Sequence, residues 1–357
     1  MRLLSTISIT IALGFATQAE AADYASFNKA YAETVVVPAF VTLAGKADEF
    51  SKTAASNCVA LDAAGMDAIV AGFNALADAW MTAQQFRLGP LSQSQRAERF
   101  AYWPEKRNIV QKQLLELLAT DDPTKLTPEN FAQASVAVQG LTALERLLFE
   151  DGARDALFGG DQQEIRCAVV TTIAANLAAV AHEAADGWAE ALANPQQAAA
   201  PFAANPAEAT TQFYNNLLTE LQIVGDQKIA APLAPSIAEA KPKLAEQWRS
   251  GRSMRNITLN LETAKRAMFG EGAFETLLTS AQFDDLKARL AKAFDQAIAA
   301  AKDVPEPLDK AVADADARKK VEFLFVRVNQ LRDVTRQEVP AAIGVTLGFN
   351  ELDGDGS

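Results

Sequence analysis

Apolar residues recur at three- and four-residue steps along most of this chain and almost nowhere in strict alternation, so the elements it predicts are helices. The spacing predicts helices over 24–53, 62–87, 104–119, 128–149 and 162–193. A second set follows over 207–229, 251–269, 280–302 and 311–337. Gly89-Pro90, Asp121-Asp122-Pro123, Gly159-Gly160 and Pro305-Glu306-Pro307 punctuate the periodic stretches as turns. Thr127 before Pro128 and Glu129 is an N-cap signal with proline at the first helical position. Abundant alanine supports the same assignment. The expected fold class is all-α.

Between the two sets, Asn194 to Pro206 breaks the pattern with prolines and small residues. It divides the chain into an N-terminal bundle over 22–195, a linker over 196–206 and a C-terminal bundle with an irregular tail over 207–357. About four substantial helices on each side suit a pair of up-and-down bundles. Leu141–Phe149 laid over Leu261–Phe269 matches Leu, Arg and Phe. The match runs on without a gap through Gly152-Ala153 over Gly272-Ala273 and Leu157 over Leu277. Internal duplication is the expected origin of the two halves.

On the 128–149 stretch, Phe131, Ala134, Val138, Leu141 and Leu148 fall on one apolar stripe at about 100° per residue. Glu145 lies inside that stripe, with Thr142 beside it one turn earlier. A carboxylate aimed into a core must find a partner, take a proton or hold a cation, because bare burial costs several kcal/mol. An arginine partner is one reading, with Arg87 and Arg107 as candidates; a binding or catalytic role is the second, and surface exposure through a different helical register is the third. In the second half Lys265 stands where Glu145 does, and Glu262 where Thr142 does. These charges either meet the first half across a pseudo-twofold interface, or leave Glu262 and Arg266 as an ordinary exposed i,i+4 pair.

Composition narrows the partners. The first twenty-one residues have a basic Arg2, an apolar Leu3–Phe15 stretch and a small-x-small Ala19-Glu20-Ala21 site, the pattern of a cleavable leader. No cysteine follows that site to take a lipid, and the mature chain is expected to have no membrane span. A periplasmic or secreted location follows. A net charge of -12 disfavours nucleic acid and anionic membranes. In an oxidising compartment Cys58 and Cys167 are expected to form a disulfide, tying the second helix of the first bundle to its last.

The chemistry inventory is short. His182 is the only histidine, HExxH and GxSxG do not occur, and Gly270-Glu271-Gly272 reads as a helix stop rather than a dinucleotide loop.

Several segments in order resemble the imelysin family, the insulin-cleaving metallopeptidase-like proteins of bacterial envelopes. They are Trp80 with Phe86-Arg87-Leu88-Gly89-Pro90, Trp103-Pro104, Gly140-Leu141-Thr142-Ala143-Leu144-Glu145, Arg249-Ser250-Gly251-Arg252-Ser253, and the tail Leu347-Gly348-Phe349-Asn350-Glu351-Leu352-Asp353-Gly354-Asp355. The resemblance implies two helical bundles with a site near their interface, and a GxHxxE hallmark proposed to bind metal. Gly140 and Glu145 match that hallmark, but Thr142 replaces the histidine, and a threonine hydroxyl is a poor zinc ligand.

Three functions are carried forward. The first is a periplasmic binding protein linked to iron or another divalent cation. Its site residues would be Glu145, Thr142, Arg87, Trp103 and Arg252, with Glu145 as the metal ligand, or with the arginines holding a small anionic ligand or chelate. The second is a zinc metallopeptidase, which the missing histidine opposes. The third is a non-catalytic envelope module that binds another protein.

Overall fold

The computed structural model describes residues 23–158, 162–194 and 205–347. The proposed leader, most of the linker and most of the tail lie outside them. Among the described residues every regular element is helical. The long ones are α1 (Tyr24–Tyr31), α2 (Val37–Asn57), α3 (Ala63–Ala83), α4 (Ile109–Leu118), α5 (Leu141–Phe149), α6 (Gln163–Ala193), α7 (Pro206–Gln222), α8 (Ser253–Phe269), α9 (Asp284–Asp303) and α10 (Ala317–Gln337).

Local chemistry starts these helices where they start. The carboxylate of Asp23 accepts from the Ser26 N–H at α1, and Asp62 from the Gly65 N–H at α3. Asn205 caps α7, with Pro206 at the first helical position. Two π-helical segments interrupt the regular ladders. Ala32–Val36 joins α1 to α2, and Ile223–Ala230 continues α7 into a short turn at Ala231–Leu233.

In the first half α2 packs between α3 and α6; in the second, α9 packs between α8 and α10. The halves are joined by more than the linker. Helix α1 lies on α7, where Tyr31 meets the rings of Phe213 and Phe274. The Asn28 amide donates to the Pro206 carbonyl, and the Tyr24 hydroxyl to the Ile343 carbonyl. Helix α8 packs on α3. One contiguous hydrophobic core therefore runs through both halves.

Helix α6 is long and apolar enough, by length and composition, to cross a membrane. Here it is the central helix of the first half, with Val170, Ile173, Leu177, Val180 and Trp188 buried. Cys167 near its start is bonded to Cys58, with a Cα–Cα distance of 5.5 Å. Cys58 caps the C-terminus of α2, so the bridge ties α2 to α6.

The stretch expected as one helix over 128–149 is broken. Pro128–Phe131 and Val136–Gln139 are single turns, and α5 begins only after Gly140, whose backbone is extended. The cause is a close crossing: a Cβ on Gly140 would stand 2.3 Å from the carbonyl oxygen of Phe100. Phe131, Val138, Leu141 and Leu148 are nonetheless buried, because each short helix turns its apolar side to the same core.

The two segments matched in sequence end alike. Helices α5 and α8 stop at Phe149 and Phe269, and each is followed by an extended residue and then a glycine with positive φ, Gly152 and Gly272.

Candidate functional site

The first turns of α5 carry Thr142 and Glu145 toward the second half. Glu145 is only 2% exposed. Its Oε1 accepts two hydrogen bonds from one residue, the backbone N–H of Ser250 at 2.9 Å and the Ser250 hydroxyl at 2.8 Å. Its Oε2 lies 4.0 Å from Nη1 of Arg249. Burial pushes the carboxyl up from its usual range, against the Ser250 hydrogen bonds and the Arg249 charge, while nearby Glu246 pushes it further up.

Ser250 can reach Glu145 because its segment folds back on itself. Gln247 and Gly251 both adopt positive φ, and the Arg252 N–H donates to the Gln247 carbonyl. The Ser253 hydroxyl donates to the Glu246 carbonyl. Left-handed backbone at 251 suits glycine, which bears no Cβ to clash.

Between α5 and this segment lies a cavity of about 310 Å³, lined by residues of both halves. Trp103 and Trp248 contribute indoles to its wall. The Arg249 guanidinium stacks 4.4 Å from the Trp248 ring centroid, and the Lys243 ammonium stands 5.2 Å from it. Arg146 also lines the cavity, but its charge is committed, to Glu105 at 3.0 Å and Glu150 at 2.7 Å.

Behind Trp103 sits a second buried ionic group. Lys228, on the second π segment, is 1% exposed. Its ammonium donates to Asn260 Oδ1 at 2.7 Å, lies 2.9 Å from Glu246 Oε2, and stands 5.8 Å from the Trp103 ring centroid. Glu220 of α7 is also buried, its Oε1 without a hydrogen-bond partner. Burial raises its carboxyl, while Lys228 and then Arg87 pull it down.

The structure gathers three of the expected site residues, Glu145, Thr142 and Trp103, around one cavity. Arg87 and Arg252 do not line it. Arg87 lies toward Glu220, with its backbone N–H on Asn216 and its guanidinium on Gln84. Arg252 binds Asn74 and Asp78 and so fastens the start of α8 to α3. Neither Arg87 nor Arg107 pairs with Glu145: Arg107 is exposed, and the nearest cation is Arg249.

The charges on the matching segment of the second half do not cross to Glu145 either. Lys265 pairs with Asp295, and Glu262 with Lys302 rather than Arg266. Each finds a partner on α9, the helix packed alongside.

Lys228, Glu246, Arg249, Ser250 and Trp248 complete the site and were not among the expected residues. For two buried charges the signal was present: Glu220 and Lys228 fall on the stripe of Phe213, Leu217 and Val224.

The donor set does not fit the metal that the family hallmark implies. The Thr142 hydroxyl donates to the Tyr102 carbonyl at 3.2 Å, and Glu145 Oε1 is filled by Ser250. Among the described residues no three His, Cys, Asp or Glu side chains converge as metal ligands. His182 is remote from the cavity, half exposed on α6, with Nε2 3.1 Å from both Asp48 oxygens.

Comparison with known proteins agrees with this architecture. The family model for imelysin, Peptidase_M75, matches residues 36–337. A crystal structure of an imelysin-like protein from Psychrobacter arcticum superposes with a TM-score of 0.76 at 22% identity, covering 91% of this chain and 98% of that one. A structure from Parabacteroides distasonis described as an iron-regulated protein A precursor gives 0.72 at 16% identity, covering 90% and 95%. Comparison with curated proteins returns no match. At these identities the structures speak to fold alone; the family model spans most of the sequence, and the chain belongs to the imelysin family.

Proposed function

We propose that this chain is an exported binding protein of the bacterial envelope that holds a small organic ligand in the cavity between its halves. In this reading, any iron it carries arrives as a complex rather than a bare ion. The observation that carries the proposal is the cavity itself. It is assembled by residues of both halves, and Glu145 of one half is locked to Ser250 of the other across its wall. A charged, aromatic-walled cleft of this size suits a small ligand with a few fixed polar contacts.

The link to iron rests on kinship: one structural relative is described as iron-regulated and as a precursor. Export is supported by that word, by the Cys58–Cys167 disulfide and by the leader-like first residues. A zinc peptidase is disfavoured by the donors, since catalytic zinc wants three protein ligands and an open position.

The test is native mass spectrometry and metal analysis of mature protein taken from the periplasm. A small molecule bound near one to one is expected, with iron, where found, rising and falling with it. Ala231→Phe, which fills the cavity wall, should abolish that molecule without lowering the melting temperature. Stoichiometric iron or zinc held without an organic ligand and lost in Glu145→Ala would point instead to a direct metal site. Protein cleavage lost in the same variant would restore the peptidase.

A further inference from the structure

Three observations about uncommitted atoms bear on which ligand the cavity takes, and they rest on the reading that it is a ligand site. First, Glu246 lines the cavity and is 5% exposed. Its Oε2 is used by Lys228 and Asn256, while Oε1 has no hydrogen-bond partner among the described residues. Glu145 Oε2, on the same cavity, has nothing closer than Arg249 at 4.0 Å.

Second, two cations that line the same cavity are only partly spent. Lys243 forms no ion pair among the described residues and rests on the Trp248 face. Arg249 gives its Nε to Glu150, and its terminal nitrogens, one of them 4.0 Å from Glu145 Oε2, make no hydrogen bond among the described residues.

Third, the lining is balanced in charge. Its acids are Glu105, Glu145 and Glu246, and its cations Arg146, Lys243 and Arg249. Glu105 and Arg146 are paired to each other, and Lys228 and Glu150 engage Glu246 Oε2 and Arg249 Nε. Glu246 Oε1, Glu145 Oε2, the Lys243 ammonium and the terminal nitrogens of Arg249 therefore remain to meet a ligand. A polyanion would be held by Lys243 and Arg249 but repelled by Glu145 and Glu246; a polyamine would meet the reverse.

We propose that the cavity binds a zwitterionic amino-carboxylate, a free amino acid or short peptide. Its ammonium donates to Glu246 and Glu145, and its carboxylate accepts from Lys243 and Arg249. Glu246 is the anchor. Its position is fixed from behind by Lys228 and Asn256, so its free oxygen is presented without a further ordering cost. The indoles of Trp103 and Trp248 supply apolar wall for the rest of the ligand.

The experiment screens the mature protein against the common amino acids and glycyl dipeptides by thermal shift, and carries the best binder to calorimetry. That binder is then compared with its N-acetyl and C-terminal amide forms, with citrate as the anion probe. Each capped form is expected to bind at least tenfold more weakly than the parent. Lys243→Ala should abolish the discrimination against the amide. Glu246→Gln should abolish that against the acetyl form. Lys243 has no structural ion pair, so its variant remains informative even where Glu246→Gln fails to fold. Capped forms that bind as well as the parent overturn the assignment. So does citrate binding without any zwitterion binding, which leaves the ligand-binding reading standing. If no probe binds, the zwitterion is overturned, and the broader reading is judged separately by the molecule that copurifies.

Discussion

Ser250 directs both of its donors, the backbone N–H and the side-chain hydroxyl, at a single oxygen of Glu145, the hydroxyl being shared with the Gln247 carbonyl at 3.1 Å. One residue thereby fastens the second half of the chain to the buried carboxylate of the first. A hydrogen bond to a charged group contributes about 1.5–3 kcal/mol, and an unsatisfied buried acceptor costs a similar amount. Ser250→Ala removes one of the two and is expected to lower stability by about 1–2 kcal/mol. Glu145→Ala, which also leaves the Ser250 N–H without its acceptor and removes the carboxylate 4.0 Å from Arg249, should cost more than Ser250→Ala. A double-mutant cycle by urea denaturation checks the coupling. Additive effects would mean the contact is incidental.

Lys228 lies between Glu246 and Glu220 at almost no exposure. Removing one partner of a buried ionic group leaves the other uncompensated, typically at a cost of about 3–5 kcal/mol. Lys228→Met is expected to destabilise by about that amount, and adding Glu246→Gln should recover part of it. Equal stability of the single and double variants would show that Glu246 does not depend on Lys228.

The crossing at Gly140 gives a sharp steric expectation. A methyl group there would meet the backbone of Arg99 and Phe100, which cannot rotate away as a side chain can. Gly140→Ala is expected to cost about 1–3 kcal/mol. A melting temperature within a degree of wild type would refute the close approach.

Much of the architecture was legible because it depends on periodicity. Glu145 stood out because α5 repeats at 141, 145 and 148 on one short helix, even though the longer stripe upstream was broken by Gly140. The break itself was not readable, since what forbids a helix through 140 is the backbone of Phe100, forty residues away. Arg87 and Arg107 looked like partners because sequence shows charge but not direction; one faces Glu220 and the other is exposed. The true partners, Ser250 and Arg249, sit in a non-periodic segment whose path depends on positive φ at Gln247 and Gly251. Only the glycine hints at that turn. The disulfide was legible because it rests on counting cysteines and on compartment, not on geometry.

That disulfide closes a loop with a sequence separation of 109 residues. In the chain-entropy account such a loop stabilises the fold by about 4–5 kcal/mol, chiefly by restricting the unfolded state. Cys58→Ser with Cys167→Ser should therefore lower the urea midpoint strongly, and a reductant should do the same to the wild type. If reduction leaves the midpoint unchanged, the bridge contributes no stability.

Glu220 offers the clearest pH signature. Its carboxyl is raised above the ordinary value of 4.5 by burial, so its folded-state value exceeds its unfolded one. As pH rises from acid, the unfolded chain loses this proton first. The stability contributed by neutral Glu220 is thus fully present below the unfolded value and is lost as pH climbs through the folded one. Glu220→Gln keeps the shape and cannot ionise. Its melting temperature relative to wild type should therefore rise with pH, from near parity at about pH 4 to an advantage at neutral pH. Calorimetric melts of both proteins across that range decide the matter. A difference that stays flat, or that turns against the glutamine at neutral pH, would mean that Lys228 and Arg87 hold Glu220 as a compensated anion.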